Sequence, residues 1–240
     1  MNIVKKIIRD LVLRVLYWKG YTLTPLGTGS KKIKIENITE FYSLAKPILD
    51  QKRTTFRQDR LYTLWQGLRQ VMDYKGDVAE VGVFQGGSAK FLATILKTNN
   101  KEDVTVHLFD TFEGMPDNLI KLDQRNKGGF GQTSLKLVKE YLSGFKNVKF
   151  YKGMVEEQSR FIKDNVFSFV HLDVDIYNSF KFCLDFFHER LLKGGIIVLD
   201  DYGFTTCLGA KLAIDEFLDA HKREYYFFHL DTGQGILVKI

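Results

Sequence analysis

Cysteine and proline are scarce in this chain: two and three in 240 residues. Cys183 and Cys207 cannot build a disulfide framework or a thiolate metal cluster. Cys183 sits in an apolar helical pattern and is read as a buried small hydrophobe. Pro-rich and Gly/Ser-rich stretches are absent, which excludes a flexible linker of those kinds, and no internal repeat is visible. Long apolar runs are missing too. Arg9, Asp10 and Arg14 interrupt the N-terminal one, so neither a membrane span nor a signal peptide is expected, and the cytoplasm is the expected compartment. Charge of one sign is not in great excess: 35 basic against 29 acidic residues leave +6. The lysines and arginines are scattered outside the basic first twenty residues, and the aromatics sit in core-like runs such as Tyr225-Tyr226-Phe227-Phe228. That is not the patch of a nucleic-acid binder.

What is present fits one large α/β domain with a hydrophobic fraction of 45%. Residues 1–75 read as an N-terminal helical extension or lid, and residues 76–240 as the main domain. Ile3 to Trp18 has helical apolar spacing. It is expected to pack on the body or on a partner subunit, which would make the chain a homo-oligomer. Contact with an anionic membrane surface is the alternative for Lys5, Lys6, Arg9 and Trp18. Residues 20–34 read as a connector, and Ile38 to Tyr74 as a helical stretch with Arg57, Asp59, Arg60 and Arg69 on its polar side.

From Gly76 onward, short apolar runs alternate with amphipathic helices, the pattern of βαβ units and a parallel sheet. Strands are predicted at 78–81, 104–109, 148–151, 167–172 and 195–199, with helices at 88–97, 155–163, 179–192 and 209–221. Tyr225–Leu230, a turn at 231–234 and Gly235–Ile240 close the chain as a β-hairpin. The prediction is a doubly wound, mostly parallel sheet with a C-terminal antiparallel hairpin.

In such a sheet, ligands bind beyond the carboxyl ends of the strands, where the strand order reverses. Strand one ends in Glu80-Val81-Gly82-Val83-Phe84-Gln85-Gly86-Gly87-Ser88. The glycines let backbone approach a ligand, and the next helix offers free N–H groups. The loop is not G-x-G-x-x-G, so an uncharged or zwitterionic tail suits it better than a pyrophosphate; a plain strand-to-helix turn capped by Ser88 is the other reading. Strand two ends in Asp110-Thr111-Phe112. Asp110 is placed to bond a ribose diol and Phe112 to stack on adenine, unless Asp110 caps a turn and Phe112 is core. Strands four and five end in Asp173-Val174-Asp175 and Asp200-Asp201. Alternation puts Asp173 and Asp175 on one strand face. Four carboxylates at neighbouring strand ends repel unless a cation joins them, and all-oxygen ligation suits Mg²⁺, then Mn²⁺ or Ca²⁺. Helix-capping aspartates are the structural alternative.

The segments EVGVFQGGS, FDTFEGMP, HLDVDIY and LDDYG…GAKLAIDEF, in that order, resemble the macrocin O-methyltransferase family over roughly residues 50–240. A departure is Leu208 before Gly209, where that family usually has proline. The resemblance implies a seven-stranded class I methyltransferase sheet and methyl transfer from S-adenosylmethionine to a sugar or glycoside hydroxyl. It implies a donor site lined by Glu80, Gly82, Ser88 and Asp110, to which Val83, Phe84, Gly86, Thr111 and Phe112 are added as neighbours on the two loops. It also implies Asp173, Asp200 and Asp201 as Mg²⁺ ligands and Asp175 as general base. A nicotinamide enzyme would leave the aspartates unexplained, and a non-catalytic scaffold would be expected to have lost one of them.

Overall fold

The computed structural model describes residues 34–117, 120–124 and 126–240, so the helix expected over Ile3–Trp18 and nearly all of the connector lie outside the described residues. Ile35–Ile240 form one compact unit.

The helical stretch expected over Ile38 to Tyr74 consists of two helices. After a short 3₁₀ turn at Ile35–Asn37, α1 spans Thr39–Asp50 and α2 Gln58–Gln70. In α2 the buried Leu61, Leu64, Trp65 and Leu68 recur at i, i+3, i+4 and i+7, one stripe of a 3.6-residue helix. The break between the helices carries no proline or glycine. Its cause is tertiary: the Arg53 carbonyl accepts the Gly87 N–H at 3.1 Å, and a Cβ on Gly87 would sit 2.7 Å from that oxygen.

Strand β1 (Asp77–Val81) leads to α3 (Gly87–Thr98), then β2 (Val106–Asp110), α4 (Leu135–Tyr141) and β3 (Val148–Lys152). A single turn α5 (Val155–Gln158), continued as 3₁₀ to Ile162, precedes β4 (Phe167–Leu172). Then come α6 (Tyr177–Arg190), β5 (Leu191–Leu199), α7 (Leu208–Ala220), β6 (Tyr225–His229) and β7 (Gly235–Lys239). The strand order is β3-β2-β1-β4-β5-β7-β6. Only β7 runs against its neighbours β5 and β6, which gives the expected parallel sheet with a reversed hairpin. Helix α4 was not anticipated, although Ser134 caps it by accepting the Leu137 N–H at 3.3 Å.

Both faces of the sheet are covered. Val78, Val106, Phe169 and Val198 pack under α1, α2 and α3. Ala79, Val170, Ile197 and Leu199 pack against α6 and α7, where Cys183 is fully buried as expected. Burial on both faces explains why these strands read as continuous apolar runs. Among the described residues, no helix is long and apolar enough to cross a membrane.

Candidate active site

The strand order reverses between β1 and β4, so a crevice opens beyond their carboxyl ends. The two strand ends touch there. The Asp173 N–H donates to the Val81 carbonyl at 2.9 Å, and a Cβ on Gly82 would lie 1.9 Å from the Asp173 oxygen. Gly82 also has φ +90°, so only glycine fits without displacement.

Asp110 organises the loop after β1. One of its oxygens accepts the Val83 and Phe84 N–H groups at 2.7 and 2.8 Å, and the other accepts the Phe112 N–H at 2.6 Å. Phe84 and Phe112 have φ of +51° and +55°, a left-handed conformation costly for bulky residues. The carboxylate therefore holds two strained backbones in place. The Thr133 hydroxyl adds a bond to the Phe84 carbonyl.

A cleft follows this loop. Gly82, Phe84, Asp110 and Thr111 lie on its wall, and Met115, Phe130 and Met154 add apolar surface. Phe84 and Phe130 meet edge to face at 5.7 Å. Five other expected site residues stand behind the wall. Val83 and Phe112 are core, so Phe112 is not available to stack on a ligand; its backbone, fixed by Asp110, turns the ring inward. Ser88 is buried in the first turn of α3, and Gly86 is the left-handed residue preceding that helix. Glu80 is fully buried, and its carboxylate bonds His171 Nδ1 at 2.8 Å. Strand alternation puts Glu80, with Val78, on the face under α2 and away from the cleft.

The acidic cluster adjoins Gly82 on the β4 side of the cleft, where Asp173 and Asp175 form part of the wall. One oxygen each of Asp173, Asp200 and Asp201 lies within 4.8 Å of the others. The shared strand face expected for Asp173 and Asp175 is corrected here. β4 ends at Leu172, and Asp175 takes φ +62°, so alternation has already stopped. Asp173 faces Asp200, whereas Asp175 turns inward. Its N–H donates to Asp201 at 2.9 Å, and the Cys207 thiol donates to its carboxylate at 3.4 Å.

Two polar residues from distant segments complete the cluster. Arg60, on α2, pairs with Asp200 and has Nη2 3.9 Å from Asp173. Its guanidinium lies 3.8 Å over the Phe56 ring. Gln234, fully buried in the hairpin turn, donates to Asp200 at 2.9 Å. In the sequence, Arg60 reads only as a polar-face helix residue and Gln234 only as a turn residue. Asp123 was missed as well. It accepts the Tyr177 N–H at 3.0 Å at the start of α6 and the Ile120 N–H at 2.8 Å, which ties the loop before it to the site.

Burial pushes the Asp173 carboxyl up to about 6; Arg60 opposes the rise and Asp175 adds to it. Burial, then Asp175 and Asp173, lifts Asp201 well above the usual carboxylate range. Four carboxylates thus converge with one guanidinium against them, in a pocket too dry to screen their repulsion. The donor set fits a hard divalent cation: all oxygen, convergent, and short of positive charge.

A model of the family described as Macrocin-O-methyltransferase (TylF) matches residues 44–236. The mycinamicin III 3''-O-methyltransferase of Micromonospora griseorubida is 30% identical over 166 residues, 61% of each chain. A tetracenomycin-C 4'-O-methyltransferase of Streptomyces olivaceus is 30% identical over 155 residues, 56% of each. The chain thus matches about three fifths of the length of these curated relatives. Among solved structures, the O-methyltransferase NovP superposes with TM-score 0.69 at 21% identity, covering 78% of this chain and 82% of that one. The calicheamicin methyltransferase CalS11 gives 0.66 at 19%, covering 90% and 99%. At that identity the likeness is one of fold.

Proposed function

The chain belongs to the macrocin O-methyltransferase family, and from that premise we propose that it transfers a methyl group from S-adenosylmethionine to a hydroxyl of a sugar or glycosylated small molecule. The observation that carries the reading is the meeting of Asp173, Asp200 and Asp201, oxygens within 4.8 Å, beside a cleft that the Gly82–Phe84 loop and Asp173 line together. One named relative is a 4'-O-methyltransferase of a rhamnosyl tetracenomycin C and another a 3''-O-methyltransferase of mycinamicin III, which supports the acceptor class.

A sugar hydroxyl is a poor nucleophile at neutral pH. Bound by Asp173, Asp200 and Asp201, Mg²⁺ or a similar cation would lower the pKa of the acceptor oxygen and fix its position. Gly82, Phe84, Asp110 and Thr111 would hold the donor, and such positioning would serve to bring its sulfonium methyl and the acceptor oxygen to the reacting distance of about 3–3.5 Å. Asp175 would take the hydroxyl proton. Phe84, Phe130 and Met154 would keep water from the reacting atoms.

Calorimetry with S-adenosylhomocysteine, followed by a methyl-transfer screen of sugar acceptors with and without EDTA, tests the proposal. Saturable binding of S-adenosylhomocysteine and EDTA-sensitive turnover are expected. Thermal stabilisation by NAD(P) with none by S-adenosylhomocysteine would overturn the donor. Full turnover in EDTA would overturn the metal.

A further inference from the structure

Three side chains from three elements meet at the end of the molecule opposite the cleft. His188 lies in the last turn of α6, His221 follows the end of α7, and Glu224 immediately precedes β6. One ligand atom of each lies within 4.8 Å of the others. The two imidazole centroids are 4.1 Å apart. His221 Nδ1 is 2.8 Å from Glu224 Oε1, and His188 Nε2 is 3.7 Å from Glu224 Oε2. Helix α6 runs from Tyr177, beside the acidic cluster, to Arg190. Fourteen residues at about 1.5 Å each separate the two ends by roughly 20 Å, so this cluster shares nothing with the proposed methyl-transfer site.

We propose that His188, His221 and Glu224 form a zinc site that ties the C-terminal ends of α6 and α7 to the start of β6. Two imidazoles and a carboxylate are a set that zinc takes, with water in the fourth position; a hard ion such as Mg²⁺ prefers all-oxygen sites. The outer contacts suit it. His188 Nδ1 is 3.1 Å from the Tyr225 hydroxyl, and with Nδ1–H donating there, the Nε2 lone pair faces Glu224. A second hydrogen bond of that kind orients nearly every zinc-bound histidine. Two helix C-termini place partial negative charge beside the ion. The Lys239 ammonium opposes it, but is tied to the carbonyls of His188 and Leu191. Ligand atoms around a tetrahedral zinc lie about 3.3 Å apart for bonds of about 2.0–2.1 Å, so side-chain rotations of about an ångström close the site.

The test uses the full tag-free chain in millimolar Mg²⁺, which competes for the carboxylates of the other cluster. Zn²⁺ is titrated against a chromophoric chelator, and Co²⁺ absorption reports the ligand geometry. One equivalent of zinc and a tetrahedral Co²⁺ band are expected in the parent chain. His221→Ala and His188→Ala should weaken zinc binding by more than the ten- to hundredfold typical of losing an outer contact, and Tyr225→Phe by that lesser amount. Glu224→Gln, at a half-exposed position, guards against misfolding: its metal-free melting temperature should match the parent while its zinc affinity falls. Absent zinc binding, or binding as tight in all three ligand variants as in the parent, overturns the proposal.

Discussion

Arg60 and Asp200 are 140 positions apart in the chain and bonded in the fold. Removing one partner of a buried ion pair typically costs about 3–5 kcal/mol, because the other charge is left buried and unanswered. Arg60→Gln should therefore destabilise the metal-free protein by about that amount, a fall of very roughly 6–20 °C in Tm at about 2–4 °C per kcal/mol. If the carboxylates hold a divalent ion, added Mg²⁺ should restore most of the loss; equal losses in EDTA and in Mg²⁺ would separate Arg60 from any metal. The pH dependence has a definite sign. Asp173 must lose its proton to bind a cation, so Mg²⁺ affinity should rise as pH passes through about 6, and Asp201, also lifted by burial, should extend the rise to higher pH. Isothermal titration at pH 5, 6, 7 and 8 reads this directly, and an affinity flat over that range would remove Asp173 from the ligand set. Asp175→Asn should keep its left-handed backbone, which Asn also tolerates, and lower kcat by about a hundred- to ten-thousandfold if Asp175 is the base. A collapse of Mg²⁺ affinity instead would make it a ligand. The four aspartates were legible in the sequence because they end predicted strands. Arg60 and Gln234 were not, since a polar residue on a helix or in a turn carries no local sign of a partner far along the chain.

At the scale of elements, the parallel strands were legible because burial on both faces leaves unbroken apolar runs, and 167–172 matches the observed β4 to the residue. Strand ends were less so. The Asp173–Asp175 geometry failed because alternation holds only while the strand lasts, and the turn after Leu172 is set by contact with Asp201 and Cys207. The α1–α2 break was hidden for a similar reason, since it is fixed by Gly87 packing on Arg53. The β1–α3 loop joins these effects and yields a sharp expectation. Gly82→Ala forces a Cβ into the Asp173 carbonyl and a left-handed φ on alanine. Strain of that kind costs about 1–3 kcal/mol before the clash is counted. Tm should fall by at least about 2–4 °C, and S-adenosylhomocysteine affinity should fall with it, because β1 and β4 part at the crevice. A stable variant with intact binding would show that the two strand ends need not touch.

For the whole molecule, the question is how much chain the site requires. Every contact described for the cleft and the carboxylates comes from Ile35–Ile240, one compact unit. The sheet face bearing Glu80, His171 and Asp200 is covered by α1, α2 and α3, and the opposite face by α6 and α7. Helix α2 and the residues leading into it matter most, because α2 carries Arg60 into the cluster and Phe56, just before it, lies edge-on to His171 at 5.5 Å. The body with its sheet was legible in the sequence from Gly76 onward; the share of the site supplied by α2, before that point, was not. A chain of residues 34–240 should thus unfold in one cooperative transition and bind S-adenosylhomocysteine within a few-fold of the full chain. Below about 1.4 kcal/mol, less than tenfold in affinity, a difference would be too small to signal loss of a donor contact. Truncation to residues 71–240 removes α1 and α2, uncovers the sheet face of Val78, Phe169 and Val198 that packs with them, and should leave a chain that aggregates or melts without a cooperative transition. Differential scanning calorimetry of the two truncations decides between these outcomes. If the shorter chain folds and binds donor as well as the longer one, α2 is a cover and the site is built by the sheet alone.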